Sequence, residues 1–149
     1  MNLGLTNKVA IITGTNNPRG IGAATALAFV REGVKVVLVY KKMQFKYDES
    51  KTVSDGIDRY HKALGSNAEE VEEQLRSLNA DYFVLESDIS VEQCVREIFD
   101  CTIERFGKID ILVNNAAAGD MDGNYNHKKL LAQSRFLQAN VPRCLLGKS

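Results

Sequence analysis

The sequence contains no tryptophan, only two histidines and no excess of charge of either sign. Its 19 basic residues balance its 19 acidic residues, so charge gives no reason to expect nucleic acid or an anionic membrane as a partner. No apolar run approaches the roughly 20 residues that cross a bilayer. Residues 1–8 also lack the apolar core of a signal peptide. We therefore predict a cytoplasmic protein with no nucleic-acid partner and no membrane partner.

The cysteines and histidines are too few and too scattered to indicate a disulfide framework or a metal site. Cys94, Cys101 and Cys144 are odd in number and include no CxxC pair, which favours reduced thiols over a disulfide framework. His61 and His127 have no second ligand at the spacing of a metal site. We therefore expect neither a disulfide nor a metal.

Residues 9–40 have the pattern of a strand, a helix and a second strand. Val9 to Thr13 (VAIIT) and Lys35 to Tyr40 (KVVLVY) are short, β-branched apolar runs, which are typical of buried parallel strands. Between them, TNNPRG predicts a turn, and a helix begins at Ile21 and ends near Gly33. The apolar face predicted for that helix contains Ile21, Ala24, Leu27, Ala28 and Arg31. The 149 residues suit one α/β domain built on such units.

Residues 43–67 interrupt this regularity. The segment is mixed in charge and has no clear period, so we interpret it as an inserted loop with a short helix near 57–63. A loop of this length inside a compact domain is either mobile surface or functional, here as a lid on a cofactor site. The sequence leaves both alternatives open.

Regular structure is predicted to resume at Asn67. We expect a helix capped by Asn67 and ending at Leu78, a third strand from Tyr82 to Glu86, a helix capped by Ser90 and ended by Gly107, and a fourth strand from Ile109 to Val113. The apolar stripe of the Ser90 helix contains Val91, Cys94, Val95, Ile98, Phe99, Thr102 and Phe106, so packing explains Cys94. Residues 128–146 predict one more helix, which Pro142 should kink or interrupt.

The glycines between the first strand and the first helix indicate a phosphate site. A helix that follows a strand and a glycine turn offers unpaired N–H groups and the positive end of its dipole to a pyrophosphate. Gly14, Gly20 and Gly22 let the phosphates approach the backbone. Because the flanking strands and helix are also present, this pattern favours dinucleotide binding.

The end of the second strand favours NADP(H) over NAD(H). An acid at this position accepts the 2′-hydroxyl of NAD, whereas basic residues accommodate the 2′-phosphate of NADP. The strand ends Tyr40-Lys41-Lys42 with no acid, and Arg19 lies in the glycine turn. The alternative is that Lys41 and Lys42 simply solvate the end of a strand.

These motifs together resemble the short-chain dehydrogenase/reductase family, and within it the 3-oxoacyl-carrier-protein reductase-like group. KVAIITG…GIG is similar to the family's glycine loop, Asp88 in LESDIS matches the residue that hydrogen-bonds adenine, and ILVNNAA (111–117) resembles the NNAG segment, with Asn114 near the adenosine ribose and Asn115 supporting the sheet. The resemblance implies a doubly wound Rossmann-type parallel sheet with strand order 3-2-1-4 and its C-terminal strands missing. The implied cofactor-binding residues are Gly14, Asn17, Arg19, Gly20, Ile21, Gly22, Tyr40, Lys41, Asp88, Ile89, Asn114 and Ala116.

The resemblance is weaker after residue 118. Asn140 is similar to the family's asparagine that holds a water in a proton relay, which makes it the one candidate catalytic residue, although a plain polar helix residue is the alternative. Tyr125 and Lys129 have the spacing of the catalytic Tyr-x-x-x-Lys but precede Asn140, so we do not expect them to be catalytic. The family's Ser and Tyr-x-x-x-Lys would follow Ser149. The glycine turn is also two residues longer than usual, and NNAG is NNAA here.

Three functions follow from this reading. The first is an NADP(H)-dependent oxidoreductase that moves hydride between the cofactor and a carbonyl or secondary alcohol, although these 149 residues lack the family's Ser and Tyr-x-x-x-Lys. The second is a non-catalytic NADP(H)-binding module or pseudoenzyme that pairs with a full-length relative. The third is another nucleotide-handling α/β protein, which the absence of GxxxxGK[ST] and the presence of NNAA disfavour. An apolar edge strand predicts a homo-oligomer.

Overall fold

The computed structural model describes residues 3–117, which form a parallel β-sheet with helices on both faces. The strands are β1 (Val9–Thr13), β2 (Lys35–Tyr40), β3 (Tyr82–Glu86) and β4 (Ile111–Val113). The helices are α1 (Ile21–Arg31), α2 (Ile57–Gly65), α3 (Glu69–Ser77) and α4 (Glu92–Phe106), and Glu49–Lys51 form one turn of 3-10 helix. The sheet order is β3-β2-β1-β4 with every pair parallel, so the predicted fold class and order are confirmed.

The two faces of the sheet bury alternate residues of the same strands. Ala10, Ile12, Val36 and Leu38 lie on the face that α1 and α3 cover, whereas Ile11, Val37 and Val39 lie on the face that Ile98 of α4 covers. Successive side chains of a strand point to opposite faces, so a strand covered on both sides must be apolar throughout. This is why VAIIT and KVVLVY are continuous apolar runs, and why their predicted bounds are confirmed.

The predicted apolar face of α1 is wrong by about one position. Gly22, Ala23 and Ala26 are buried, whereas Ile21 is 76% exposed and Ala24 and Ala28 are also exposed. Almost every residue of α1 is apolar, so periodicity alone cannot choose the buried face. The face is chosen by close packing instead, because only small residues fit where α1 meets the end of β1. Gly33, with φ +78°, follows the helix end as predicted.

Two predicted helix caps are shifted. The residue before α3 is Ala68, and Asn67 lies one position earlier, where its Oδ1 accepts a hydrogen bond from the Glu69 N–H at 3.3 Å. The residue before α4 is Val91, and Ser90 is not the cap because its hydroxyl donates to Asp88 instead. Cys94, Ile98 and Thr102 of the predicted stripe are buried, and Gly107 ends the helix at φ +75° as predicted. Phe99 was also predicted in the stripe, but it is exposed.

Strand β4 begins at Ile111, two residues later than predicted. The Asp110 N–H donates to the Val9 carbonyl at 2.9 Å, and the Asp110 carboxylate accepts the Val9 N–H at 2.9 Å, so Asp110 is joined to β1 through both its backbone and its side chain. Within residues 3–117, β4 pairs with β1 alone and is an edge strand, with Leu112 46% exposed. The predicted helix over 128–146, together with Tyr125, Lys129, Asn140 and Ser149, lies outside the described residues.

Residues 43–67, which we call the insert, contain the 3-10 turn and α2. The predicted short helix is confirmed, although α2 extends to Gly65. No residue of α2 is buried, in contrast to α1 and α3. Across residues 3–117, no helix is long and apolar enough to cross a membrane.

Candidate functional site

The candidate site lies at the edge of the sheet where all four parallel strands reach their carboxyl ends. The glycine turn (residues 14–22) follows β1 there, Lys41 and Lys42 follow β2, Asp88 follows β3, and Asn114 follows β4. The connection from β1 leads to β2 on one side, while β4 pairs with β1 on the other. Ligands of doubly wound sheets bind in the crevice at such a reversal of strand order.

Gly14 and Gly22 are required by the backbone that surrounds them. Gly14 has φ +72°, and a Cβ there would lie 3.0 Å from the Ala116 Cα. A Cβ on Gly22 would lie 2.4 Å from the Gly14 carbonyl oxygen and 2.7 Å from the Asn115 side-chain nitrogen. The end of β1, the start of α1 and the segment after β4 are therefore packed against each other at backbone distance.

Gly20 leaves the N-terminus of α1 open. Gly20 is the N-cap of α1 and has an extended conformation. Because glycine has no side chain, no cap side chain accepts the first N–H groups of the helix, and the first turn carries no acidic residue. Asn17 shapes the turn before it: its carbonyl accepts the Gly20 N–H at 2.9 Å and its side chain accepts the Arg19 N–H at 3.1 Å. Ile21 is largely exposed beside this helix end. The arrangement can accept an anion on backbone N–H groups.

A hydrogen-bond cluster joins the ends of β1 and β4. The Thr13 hydroxyl oxygen accepts the N–H groups of Asn115 at 3.0 Å and Ala116 at 2.9 Å. The Asn115 side chain donates in return to the carbonyls of Thr13 at 2.9 Å and Gly14 at 3.1 Å. Asn114 and Ala116 remain exposed on either side of Asn115. The cluster fixes the strand edge that carries these two predicted cofactor contacts.

Each of the three predicted cations is paired with a carboxylate. Arg19 lies 2.8 Å from Asp55 of the insert, Lys41 lies 2.5 Å from Asp88, and Lys42 lies 3.1 Å from Glu86. The Lys42 ammonium donates a hydrogen bond to the Glu86 carboxylate, and this bond raises the pKa of Lys42. All three cations are substantially exposed, and surface pairs of this kind contribute only about 0–1 kcal/mol. A more highly charged ligand could therefore compete for them.

Asp88 organises the turn between β3 and α4. Its carboxylate accepts the N–H of Ser90 at 3.0 Å and the hydroxyl of Ser90 at 2.6 Å, and it also pairs with Lys41. Partial burial raises the pKa of the Asp88 carboxyl, but the hydrogen bonds from Lys41 and Ser90 outweigh burial, so the net pKa is lowered. Asp88 is thus ionised at neutral pH and held still, with Ile89 exposed beside it.

Tyr40 belongs to the core more than to the surface of the site. The residue is 8% exposed, and its hydroxyl donates across the sheet to Glu86 at 3.5 Å. Burial, and then the Glu86 charge, raise the pKa of the Tyr40 phenol despite the nearby Lys42. Its side chain therefore positions the end of β2 beside β3.

Two residues of the glycine turn escaped the sequence analysis. Thr15 is fully buried and its hydroxyl donates to the Val39 carbonyl at 3.2 Å. Asn16 is 3% exposed, and its side-chain nitrogen lies within hydrogen-bonding distance of three carbonyls of the insert: Ala63 at 3.3 Å, Leu64 at 3.0 Å and Ser66 at 3.0 Å. TNNPRG predicts only a turn, and no pattern within these six residues indicates hydrogen-bond partners that lie so far along the chain.

Comparison with known proteins identifies relatives of this chain. The family model described as enoyl-(acyl carrier protein) reductase matches residues 59–142, more than half of the chain. A 3-oxoacyl-[acyl-carrier-protein] reductase of Synechocystis sp. is 35% identical over 112 residues, which cover 75% of this chain and 36% of that protein.

Solved structures are also similar to this chain. L-sorbose reductase of Gluconobacter frateurii, complexed with NADPH and L-sorbose, has a TM-score of 0.58 and 26% identity over 93% of this chain and 48% of its own. An NADH-dependent reductase complexed with NAD has a TM-score of 0.55 and 25% identity over 79% of this chain and 39% of its own. The chain spans less than half the length of each of these proteins.

Proposed function

The chain belongs to the short-chain dehydrogenase/reductase family, and we propose that it forms the NADP(H)-binding part of an oxidoreductase. The complete activity is hydride transfer between the cofactor and a carbonyl compound or secondary alcohol. The observation that carries the proposal is the open N-terminus of α1, set behind the glycine turn at the switch point of a 3-2-1-4 sheet. That arrangement suits the pyrophosphate of a dinucleotide.

The residues present fit a bound dinucleotide. The N–H groups of Ile21 and Gly22 would hold the pyrophosphate, because the helix end lacks both a side-chain cap and a first-turn acid. Gly20 would let the phosphates approach, while its own N–H donates to the Asn17 carbonyl. Asp88 and Ile89 would hold the adenine, and Asn114 and Ala116 would contact the adenosine ribose. The cofactor supplies or accepts the hydride when bound. The chain's own residues bind and orient it, and Asn140 is proposed to hold a relay water.

The preference for NADP(H) rests on charge at the end of β2. Arg19, Lys41 and Lys42 carry the positive charge, and no acidic residue of β2 itself accepts a 2′-hydroxyl. The carboxylates that pair with them come from the insert and from the end of β3. A 2′-phosphate offers a dianion to the same cations and is therefore favoured over a hydroxyl.

The test is a titration of the full-length natural protein with NADPH and with NADH at low salt. We expect NADPH to bind at least about tenfold more tightly, a difference of about 1.4 kcal/mol. Oxidation of NADPH with a panel of ketones then separates an oxidoreductase from a binding module. Equal affinity for the two cofactors would overturn the NADP(H) preference, and binding without oxidation by any ketone would favour the non-catalytic module.

A further inference from the structure

The insert is attached to the glycine turn by one buried side chain. The Asn16 amide reaches the carbonyls of Ala63, Leu64 and Ser66 at 3.0–3.3 Å, and these carbonyls belong to the last turn of α2 and the residue after it. The last carbonyls of a helix have no partner within it, so an amide donor there satisfies them. The Met43 N–H also donates to the Leu64 carbonyl at 2.9 Å, which closes the base of the insert.

This contact links the lengthened glycine turn to the insert. The turn is two residues longer than the family's usual turn, and the insert follows β2. Asn16 lies in the lengthened turn and has its side-chain partners in the insert. The extra turn residues and the insert therefore form one structural unit beside the cofactor site.

The unit places a carboxylate beside Arg19, one of the predicted cofactor contacts. Asp55 of the insert lies 2.8 Å from the Arg19 guanidinium and 3.4 Å from that of Arg59. The Asp55 side chain is 81% exposed, so the pairing is held by attraction between charges and not by packing. Removal of this carboxylate would leave two guanidinium groups without their shared counter-charge.

We propose that Asp55 is a specificity-determining residue that weakens the preference for NADP(H). Its carboxylate competes with the 2′-phosphate for Arg19 and repels that dianion, whereas the 2′-hydroxyl of NAD(H) carries no charge to repel. The inference rests on the proposed function, since it assumes that Arg19 faces the 2′ position. Asp55 thus sets the ratio of the two affinities and leaves pyrophosphate binding unchanged.

The test compares Asp55→Asn with Glu49→Gln in the full-length natural protein. Glu49 lies in the same insert and pairs with Lys62, so its substitution removes the same charge without touching the glycine turn. We expect Asp55→Asn to tighten NADPH about three- to tenfold at low salt, with NADH changed less than about twofold, and the gain to shrink as salt rises. Glu49→Gln and Asp55→Glu should keep the wild-type ratio.

The outcomes separate this inference from the function on which it rests. If the folded wild-type protein binds neither dinucleotide, the proposed function fails and the inference fails with it. If both dinucleotides bind but Asp55→Asn leaves the ratio of NADPH affinity to NADH affinity unchanged, or lowers it, the inference alone is overturned. A lowered ratio would mean that Asp55 orients Arg19 for the phosphate.

Discussion

The glycine turn and the insert meet at Asn16 but are built in opposite ways. The turn is packed at backbone distance, with Gly14, Gly22 and the segment after β4 so close that a single methyl group does not fit. The insert buries no residue of its helix and is held largely by exposed ion pairs and by the Asn16 amide. Closely packed backbone therefore surrounds the proposed pyrophosphate site, whereas exposed ion pairs surround the proposed site of the 2′ substituent.

The largest expected effect breaks the close packing of the turn. Gly22→Ala would place a Cβ 2.4 Å from the Gly14 carbonyl oxygen, so we expect a loss of about 3 kcal/mol in the free energy of unfolding. Gly56→Ala is the control, because Gly56 also lies at the start of a helix, as the N-cap of α2, but has open space around it. It should change stability by less than about 0.5 kcal/mol in urea unfolding. Equal effects of the two substitutions would contradict the contrast between the regions.

The next effect separates the two regions. Asn16→Ala removes a buried amide that reaches three carbonyls of the insert, and we expect a loss of about 1–2 kcal/mol in the free energy of unfolding. The Ser66 carbonyl loses the Asn16 donor, whereas the Leu64 carbonyl keeps the Met43 N–H and the Ala63 carbonyl keeps the N–H and hydroxyl of Ser66. Amide hydrogen exchange should accelerate in α2 more than in the central sheet. Asn67→Ala, which removes one exposed hydrogen bond to Glu69, should have little effect. Uniform acceleration across the sheet would mean that Asn16 supports the whole fold.

A smaller effect is expected at the junction of β1 and β4. Thr13→Val leaves the Ala116 N–H without its acceptor, whereas the Asn115 N–H keeps the Val113 carbonyl, and the substitution should cost about 1 kcal/mol. Thr102→Val is the control: Thr102 is buried too, but its hydroxyl only donates to the Ile98 carbonyl of its own helix. The comparison uses urea unfolding of both variants. A larger loss at Thr102 would show that burial, and not the orphaned Ala116 N–H, sets the cost.

The smallest effect concerns pH. The folded-state pKa of Asp88 is below its ordinary value of about 3.9, so Asp88 contributes stability above that value, and the contribution is lost as pH falls through the folded pKa. Asp88→Asn should therefore flatten the dependence of unfolding free energy on pH between about pH 5 and pH 2. Lys41→Gln removes one cause of the shift and should flatten it in part. An unchanged slope in Asp88→Asn would contradict the assigned role of Lys41 and Ser90.

The sequence predicts the parts of this fold that repeat a backbone rule. The bounds of β1 and β2 are predicted correctly because a strand buried on both faces needs a continuous apolar run. The buried face of α1 is not predicted, since Ile21 and Ala24 are as apolar as Ala23 and Ala26, and the close approach of Gly22 to Gly14 is not visible in the pattern. The cap of α4 is misplaced because Ser90 is a favourable cap residue, but its N–H and hydroxyl pair with Asp88 and the helix begins after Val91.

The candidate site also has features that the sequence predicts and contacts that it does not. The glycine turn and the cations of Lys41 and Lys42 are visible in sequence, since their spacing from a strand is local. The partners of Asn16 lie 47–50 residues further along the chain, and Asp55 lies 36 residues from Arg19. Contacts across such separations depend on how the insert folds back, which no pattern within the turn encodes.

The central claim is that the N-terminus of α1 binds a dinucleotide pyrophosphate. The most direct measurement follows backbone amide resonances of the full-length natural protein during titration with NADPH. The account predicts large, saturable shifts at Ile21 and Gly22, smaller shifts near Lys41 and Asp88, and little change in α2. Saturable binding that leaves the amides of Ile21 and Gly22 unmoved would contradict it.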